Sequence, residues 1–380
     1  MDAKIPVNEY LLSLLRACLT GTPAPEKPES VTWNMLFAAA KRQSVAVAAF
    51  SAIQTLQVRP EGEDLERWDV WCSKLTAKAV NQTVESQNLL TAFQNAGMRA
   101  MPLKGHYIRQ LYPQPEMREM TDLDILVDDD RSQKMQDFMA AQGYKLDGLN
   151  QCHAEYKKPP YMMVELHNSL VSERFSGLRA YYSDPWKRAV TEAKDSLIYQ
   201  MNPSDTFVYL IVHFYKHYFY CGCGIRMLAD LWLFLRHNAS LLDGAYIEKC
   251  LKRQKTDTFA RTAVALCRTW FEDGSYDDAQ RAMEEKLFRS GTYGRKEFYD
   301  ENQIERYNGR RKSSRVGKIR YFLKLVFPPL SEMEGMYPIL KKVAILLPVS
   351  WVLRGFRVLF HSPKRIGERY HKVISAKRDQ

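Results

Sequence analysis

The sequence has no apolar run long enough to cross a bilayer. One uncharged, mostly apolar stretch is Val343 to Leu353, eleven residues between Lys342 and Arg354, where a spanning helix needs ~20. Cysteine is sparse as well. Cys18, Cys72, Cys152, Cys221, Cys223, Cys250 and Cys267 are odd in number and irregular in spacing, a poor framework for a disulfide-stapled secreted chain. The first residues lack a basic segment and Glu9 interrupts their apolar run, so a signal peptide is not expected. There is no internal repeat. With 18 glycines and 17 prolines in 380 residues, collagen-like and low-complexity chains are excluded too. The expectation is a cytoplasmic protein of two or three packed units.

Net charge is +11, but it is concentrated at one end. Residues 306–380 hold 18 Lys/Arg against 4 Asp/Glu, a local +14, which leaves −3 for the first 305. The bulk of the chain therefore has no electrostatic reason to bind polyanions.

Hydrophobic periodicity divides the rest. Residues 1–84 read as helical: Glu9, Leu11, Leu12, Leu14, Leu15 and Cys18 share a stripe, Thr32 is placed to cap a helix, and a long helix is expected from about Trp68 to Asn95. Residues 85–200 change to a mixed α/β pattern, with a short strand before Gly105, a buried strand at Leu123–Val127 and a hairpin around Pro159–Pro160. Residues 201–305 return to helical spacing, with Ser204 as a candidate cap. Residues 306–380 are basic yet rich in aromatic and aliphatic side chains, too apolar for a free tail. A folded helical pair is expected there, its large side chains buried, with a nucleic-acid or anionic-lipid patch as the alternative.

The chemistry concentrates in three short segments. Strand parity puts Asp122 and Asp124 on one face. Two carboxylates so placed repel, unless a divalent cation such as Mg²⁺ lies between them. Glu165 in the Val164–Glu165–Leu166–His167 run would add a third carboxylate if its strand lies beside the first. Three converging carboxylates suit two-metal phosphoryl or nucleotidyl transfer. Gly105 could let triphosphate oxygens approach backbone N–H groups. Lys104 either neutralises phosphate or pairs with a carboxylate, and Arg118 either binds triphosphate or braces Asp122.

The segments PLKGHYIRQLYPQPEMREMTDLDILV, HAEYKKPPYMMVELHNSL and GIRMLADL resemble the DNA polymerase β-like nucleotidyltransferase superfamily. Within it, they resemble the uncharacterised bacterial nucleotidyltransferase family with an LKG…R…DxDxLV…ElH pattern. The resemblance implies an α+β fold, a small mixed β-sheet core flanked by N-terminal and C-terminal helical regions. It also implies a Mg²⁺- or Mn²⁺-dependent enzyme. Asp122, Asp124 and Glu165 would be its catalytic metal ligands, and Lys104, Gly105 and Arg118 would contact the nucleotide. The chain departs from the superfamily at Gly105–His106, where a serine or second glycine is usual.

Other polar residues have two readings each. His167 shares the face of Glu165 and could orient it or only fill a structural hydrogen bond. His213 and His217 stand at i, i+4 without the glutamate of a zinc helix, so substrate-facing positions suit them better. Arg226 and Asp230 either face substrate too or form an intrahelical ion pair. The expected activity is nucleoside monophosphate transfer from an NTP to an unidentified small molecule, glycan precursor or protein. Nucleic acid is a less favoured acceptor, and peripheral membrane contact would run through the C-terminal segment. The alternative is a non-catalytic nucleotide- or partner-binding protein on the same fold.

Overall fold

The computed structural model describes residues 4–149, 153–170, 184–191, 193–292, 294, 323 and 326–361. Two compact units are present, Met1–Tyr218 with Gly222–Tyr293, and Phe219–Cys221 with Gly294–Gln380.

The first unit begins with helices α1 (Lys4–Thr20), α2 (Trp33–Arg42), α3 (Ala46–Ile53) and α4 (Gly62–Asn95). Leu11, Leu14 and Leu15 of α1 are fully buried, while Glu9 is exposed and falls off the apolar stripe. Thr32 caps α2, accepting from the Met35 N–H at 3.2 Å. Helix α4 starts six residues before the expected Trp68, because exposed Glu63 and Asp64 occupy its first turn and suit the helix N-terminus.

A five-stranded sheet follows, with β1 (Ala100–Pro102), β2 (Leu123–Val127), β3 (Lys145–Leu149), β4 (Ala154–Lys158) and β5 (Met162–His167) in the spatial order β1-β2-β5-β4-β3. Helix α5 (Lys104–Arg109) lies between β1 and β2, and α6 (Gln133–Ala141) between β2 and β3. Within this sheet β2 and β5 pair in parallel, and the other three pairings are antiparallel. A separate ladder joins β6 (Ala189–Thr191) to β7 (Tyr199–Met201). The architecture is the expected mixed α+β, with helices flanking the sheet.

The two sheet faces differ in kind. Leu123, Ile125, Val127, Tyr156, Val164 and Leu166 pack with Leu89 and Phe93 of α4 and Met135 and Met139 of α6. The opposite face carries Asp124 and Glu165. There Leu126 packs with Met101, Leu103 and Tyr209, the last from α7 (Pro203–Tyr220). Asn202, not Ser204, caps α7 by accepting from the Asp205 N–H at 3.0 Å. Pro203 takes the first helical position, where its missing N–H costs nothing. Ser204 Oγ instead accepts from the Asp243 N–H.

Helices α8 (Arg226–Asn238), α9 (Gly244–Arg253), α10 (Asp257–Phe271) and α11 (Asp278–Ser290) complete the unit. Their apolar faces share one core with α1, α2 and α3. In the second unit are α12 (Leu330–Met336) and α13 (Leu347–His361). Met333 and Leu340 are buried, and the Trp351 indole donates to the Pro328 carbonyl at 2.8 Å. Tyr321, Phe322 and Leu325 lie outside the described residues, and the burial expected of Val343, Ile345, Val349, Val352, Leu353 and Phe356 is not met: they are 41–84% exposed. The last four recur at i, i+3, i+4 and i+7, one stripe of α13 that lies in solvent.

Leu166, fully buried between the carboxylate positions and α4, tests this layering. Leu166→Ala should cost about 2–5 kcal/mol, read from urea unfolding midpoints.

Candidate active site

The site is built on the β2–β5 register. Asp124 lies opposite Glu165 and Leu126 opposite His167. In a parallel pair, residues in register share a face, so Asp124, Glu165 and His167 project together. Asp122 precedes β2 by one residue and Asp124 by two.

Both oxygens of Asp124 are engaged. Lys104 Nζ lies 3.0 Å from Oδ2, and His167 Nε2 lies 3.0 Å from Oδ1. Burial by itself would raise the Asp124 pKa, yet Lys104 and His167 hold it well below the usual carboxylate range. Asp122 makes no such ion pair among the described residues. Burial, then the charges of Asp124 and Glu165, push it up to about 6. Repulsion of this kind is what a divalent cation relieves, and the oxygen donors are of the type Mg²⁺ or Mn²⁺ takes.

Lys104 also donates to His213 Nε2 at 3.0 Å, and His217 Nε2 lies 3.0 Å from the same atom. Burial first, then Lys104, keeps His213 well below its normal pKa and brings His217 down to about 3. Both imidazoles are neutral at physiological pH, as an acceptor for an ammonium must be. For Lys104, burial would favour the neutral amine, but Asp124 outweighs it and its pKa rises. His167 follows the same logic: burial opposes its charge, while Asp124 and Glu165 raise it to about 9.

Arg118 and Asp230 form a second, buried pair. Arg118 Nε and Nη2 donate to the two Asp230 oxygens at 2.8 Å each, and the Tyr112 hydroxyl donates to Oδ1 at 2.8 Å. Asp230 thus spends its oxygens on Arg118 and Tyr112, and the intrahelical pair with Arg226 does not form. Arg226 donates instead to the Glu119 carbonyl. Nor does Arg118 brace Asp122 by a hydrogen bond among the described contacts.

Gly105 lies in the first turn of α5 rather than in a loop. A Cβ there would stand 3.2 Å from Arg118 Nη1 and 3.3 Å from Met120 Sδ. Close approach of a pinned guanidinium, not a left-handed backbone, is what calls for glycine.

Two residues carry no expectation from the sequence. His153, just before β4, places Nε2 2.9 Å from Glu155 Oε1 and Nδ1 3.4 Å from Glu165 Oε2. Glu155 lies directly opposite Glu165. The signal was a mirror: His153–Ala154–Glu155 and Glu165–Leu166–His167 are equidistant from Pro160, so a hairpin folds like onto like.

A profile of the uncharacterised nucleotidyltransferase family matches residues 29–272, more than half of the chain and the whole of this site. The chain belongs to that family. Membership makes it a transferase of the NTP-using class, whose members usually bind divalent metals. No curated protein and no solved structure matches the chain.

Two outcomes follow for the metal-free protein. Asp230→Ala leaves Arg118 buried without its carboxylate and should cost about 3–5 kcal/mol, measured by urea unfolding. The second concerns pH. The folded protein holds the Asp122 proton up to about pH 6 against 3.8 unfolded, so stability falls as pH rises across that window. The His167 contribution is full below 6.5 and is lost as pH climbs through about 9. In EDTA, Asp122→Asn should abolish the lower decline and His167→Gln the upper one, in melting curves from pH 4 to 9.

Proposed function

We propose that the chain transfers a nucleoside monophosphate from an NTP to a hydroxyl or phosphate of an acceptor, using divalent cations held by Asp122, Asp124 and Glu165. The observation that carries this reading is the β2–β5 register, which lines up Asp124 with Glu165 beside an Asp122 raised by both. Bound there, the cations would activate the attacking hydroxyl and neutralise the leaving pyrophosphate.

The chain's own groups supply the rest. Glu165 is placed to take the proton of the acceptor hydroxyl. Lys104 neutralises Asp124 in the absence of ligands, and its ammonium is free to swing to phosphate when a cation takes over that carboxylate. His213, backed by His217, holds Lys104 through a neutral nitrogen and so adds no competing positive charge. Arg118, fixed by Asp230 and Tyr112, lends positive potential beside Gly105 without leaving its bidentate pair.

The test is incubation with each of four radiolabelled NTPs and Mg²⁺ or Mn²⁺ in host lysate, followed for pyrophosphate and for labelled product. Asp122→Asn with Asp124→Asn should abolish both metal-dependent nucleotide binding and pyrophosphate release. Asp122→Asn alone should leave the apo melting temperature equal to or above wild type, since like charge is removed, whereas Asp124→Asn strands buried Lys104 and His167 and should lower it. Binding without pyrophosphate release from any NTP would favour the non-catalytic alternative.

A second contact is proposed for the C-terminal unit. The exposed Val349, Val352 and Leu353, with exposed Lys342 and the basic residues around them, suit an anionic bilayer surface. Co-sedimentation with phosphatidylglycerol vesicles, but not phosphatidylcholine vesicles, is expected. Val352→Glu with Leu353→Glu should reduce it at least tenfold.

A further inference from the structure

We infer that His153, Glu165 and His167 form a nitrogen-rich cation position that takes a divalent transition metal in preference to Mg²⁺. The proposal rests on the reading of Glu165 as a metal ligand and adds which ion that ligand set prefers.

Three observations support it. First, one ligand atom from each residue lies within 4.8 Å of the others. Glu165 Oε2 stands between two imidazole nitrogens, 3.4 Å from His153 Nδ1 and 3.5 Å from His167 Nε2. Those two separations match the edges of a coordination polyhedron with bonds of ~2.0–2.2 Å, and a cation would replace the proton that His167 Nε2 now shares with Asp124.

Second, His153 is supported from behind. Its Nε2 is 2.9 Å from Glu155 Oε1. A carboxylate accepting the Nε2 proton leaves the Nδ1 lone pair facing Glu165, the carboxylate–histidine–metal arrangement in which an outer group sets tautomer and orientation. Glu155 lies in register with Glu165 on the neighbouring strand, so the ladder itself places the support.

Third, the donor types discriminate between ions. Mg²⁺ dehydrates reluctantly and takes oxygen ligands. Imidazole suits Zn²⁺, Cu²⁺ and Ni²⁺ far better, and Co²⁺ reports on the same donor set. Two imidazoles flanking one carboxylate thus bias this position away from Mg²⁺, while Asp122 and Asp124 remain an all-oxygen pair.

The probe is Co²⁺, titrated into the metal-stripped full chain under a large molar excess of Mg²⁺ and followed by visible absorption. We expect saturation by one Co²⁺ per chain. His153→Ala and His167→Ala should each weaken binding at least tenfold, Glu155→Gln about tenfold, and Asp122→Asn less than threefold. Unchanged affinity in both histidine variants, or ready displacement of Co²⁺ by Mg²⁺, overturns the proposal. Pulsed EPR of Cu²⁺ on the unaltered protein is independent of any folding defect in the variants. Modulation from coordinated imidazole nitrogen is expected, and its absence overturns the assignment. Pyrophosphate release without Co²⁺ retention would sink this inference and leave the transferase reading standing. Co²⁺ retention without release from any NTP would do the reverse.

Discussion

A parallel strand pair sets Asp124 beside Glu165 on one sheet face, with Asp122 close by, and like charges held so closely repel. Everything around the site answers that repulsion. Lys104 and His167 each take one oxygen of Asp124. His153 and His167 flank Glu165. Asp122 makes no ion pair among the described residues, and burial together with the charges of Asp124 and Glu165 raises its pKa despite Lys104. An arrangement that stores unfavourable charge in this way is stable only because the other face of the same sheet is packed with Leu123, Ile125, Val164 and Leu166 against α4 and α6.

The positive side of the site is arranged with equal economy. Two cations, Lys104 and Arg118, approach from α5 and from the segment before β2. Each is anchored by a helix that follows the sheet: Lys104 by His213 of α7, Arg118 by Asp230 of α8. The helices after the sheet are thus part of the site as well as of the core. Gly105 is the point at which this anchoring reaches the backbone, since a Cβ there would stand 3.2 Å from Arg118 Nη1.

Several elements were legible in the sequence because they rest on local rules. The capping of α2 by Thr32, the buried character of Leu123–Val127 and the hairpin at Pro159–Pro160 are written in nearest neighbours and periodicity. The site residues Asp122, Asp124 and Glu165 were marked by alternation and by resemblance. His153 and Glu155 were not marked, because a histidine and a glutamate near a hairpin are ordinary until the register is known. The pairing of Arg118 with Asp230, 112 residues apart in the chain, has no local signature at all. Local spacing offered Arg226 as one partner of Asp230, and Arg118 takes both of its oxygens instead. The exposed stripe on α13 was misjudged for a related reason: apolar composition indicates what burial would be worth, not whether a surface is present to receive it.

Sequence alone determined which residues carry charge, which segments are helix or strand, and that Asp122, Asp124, Glu165 and His167 have the parity to share a face. Only the tertiary structure decided that they do share one, that Lys104 and not Arg118 neutralises Asp124, and that His153 joins Glu165 and His167. The physical reason is that parity is a property of one strand, whereas register, counterion choice and ligand convergence are settled by which strands and helices become neighbours.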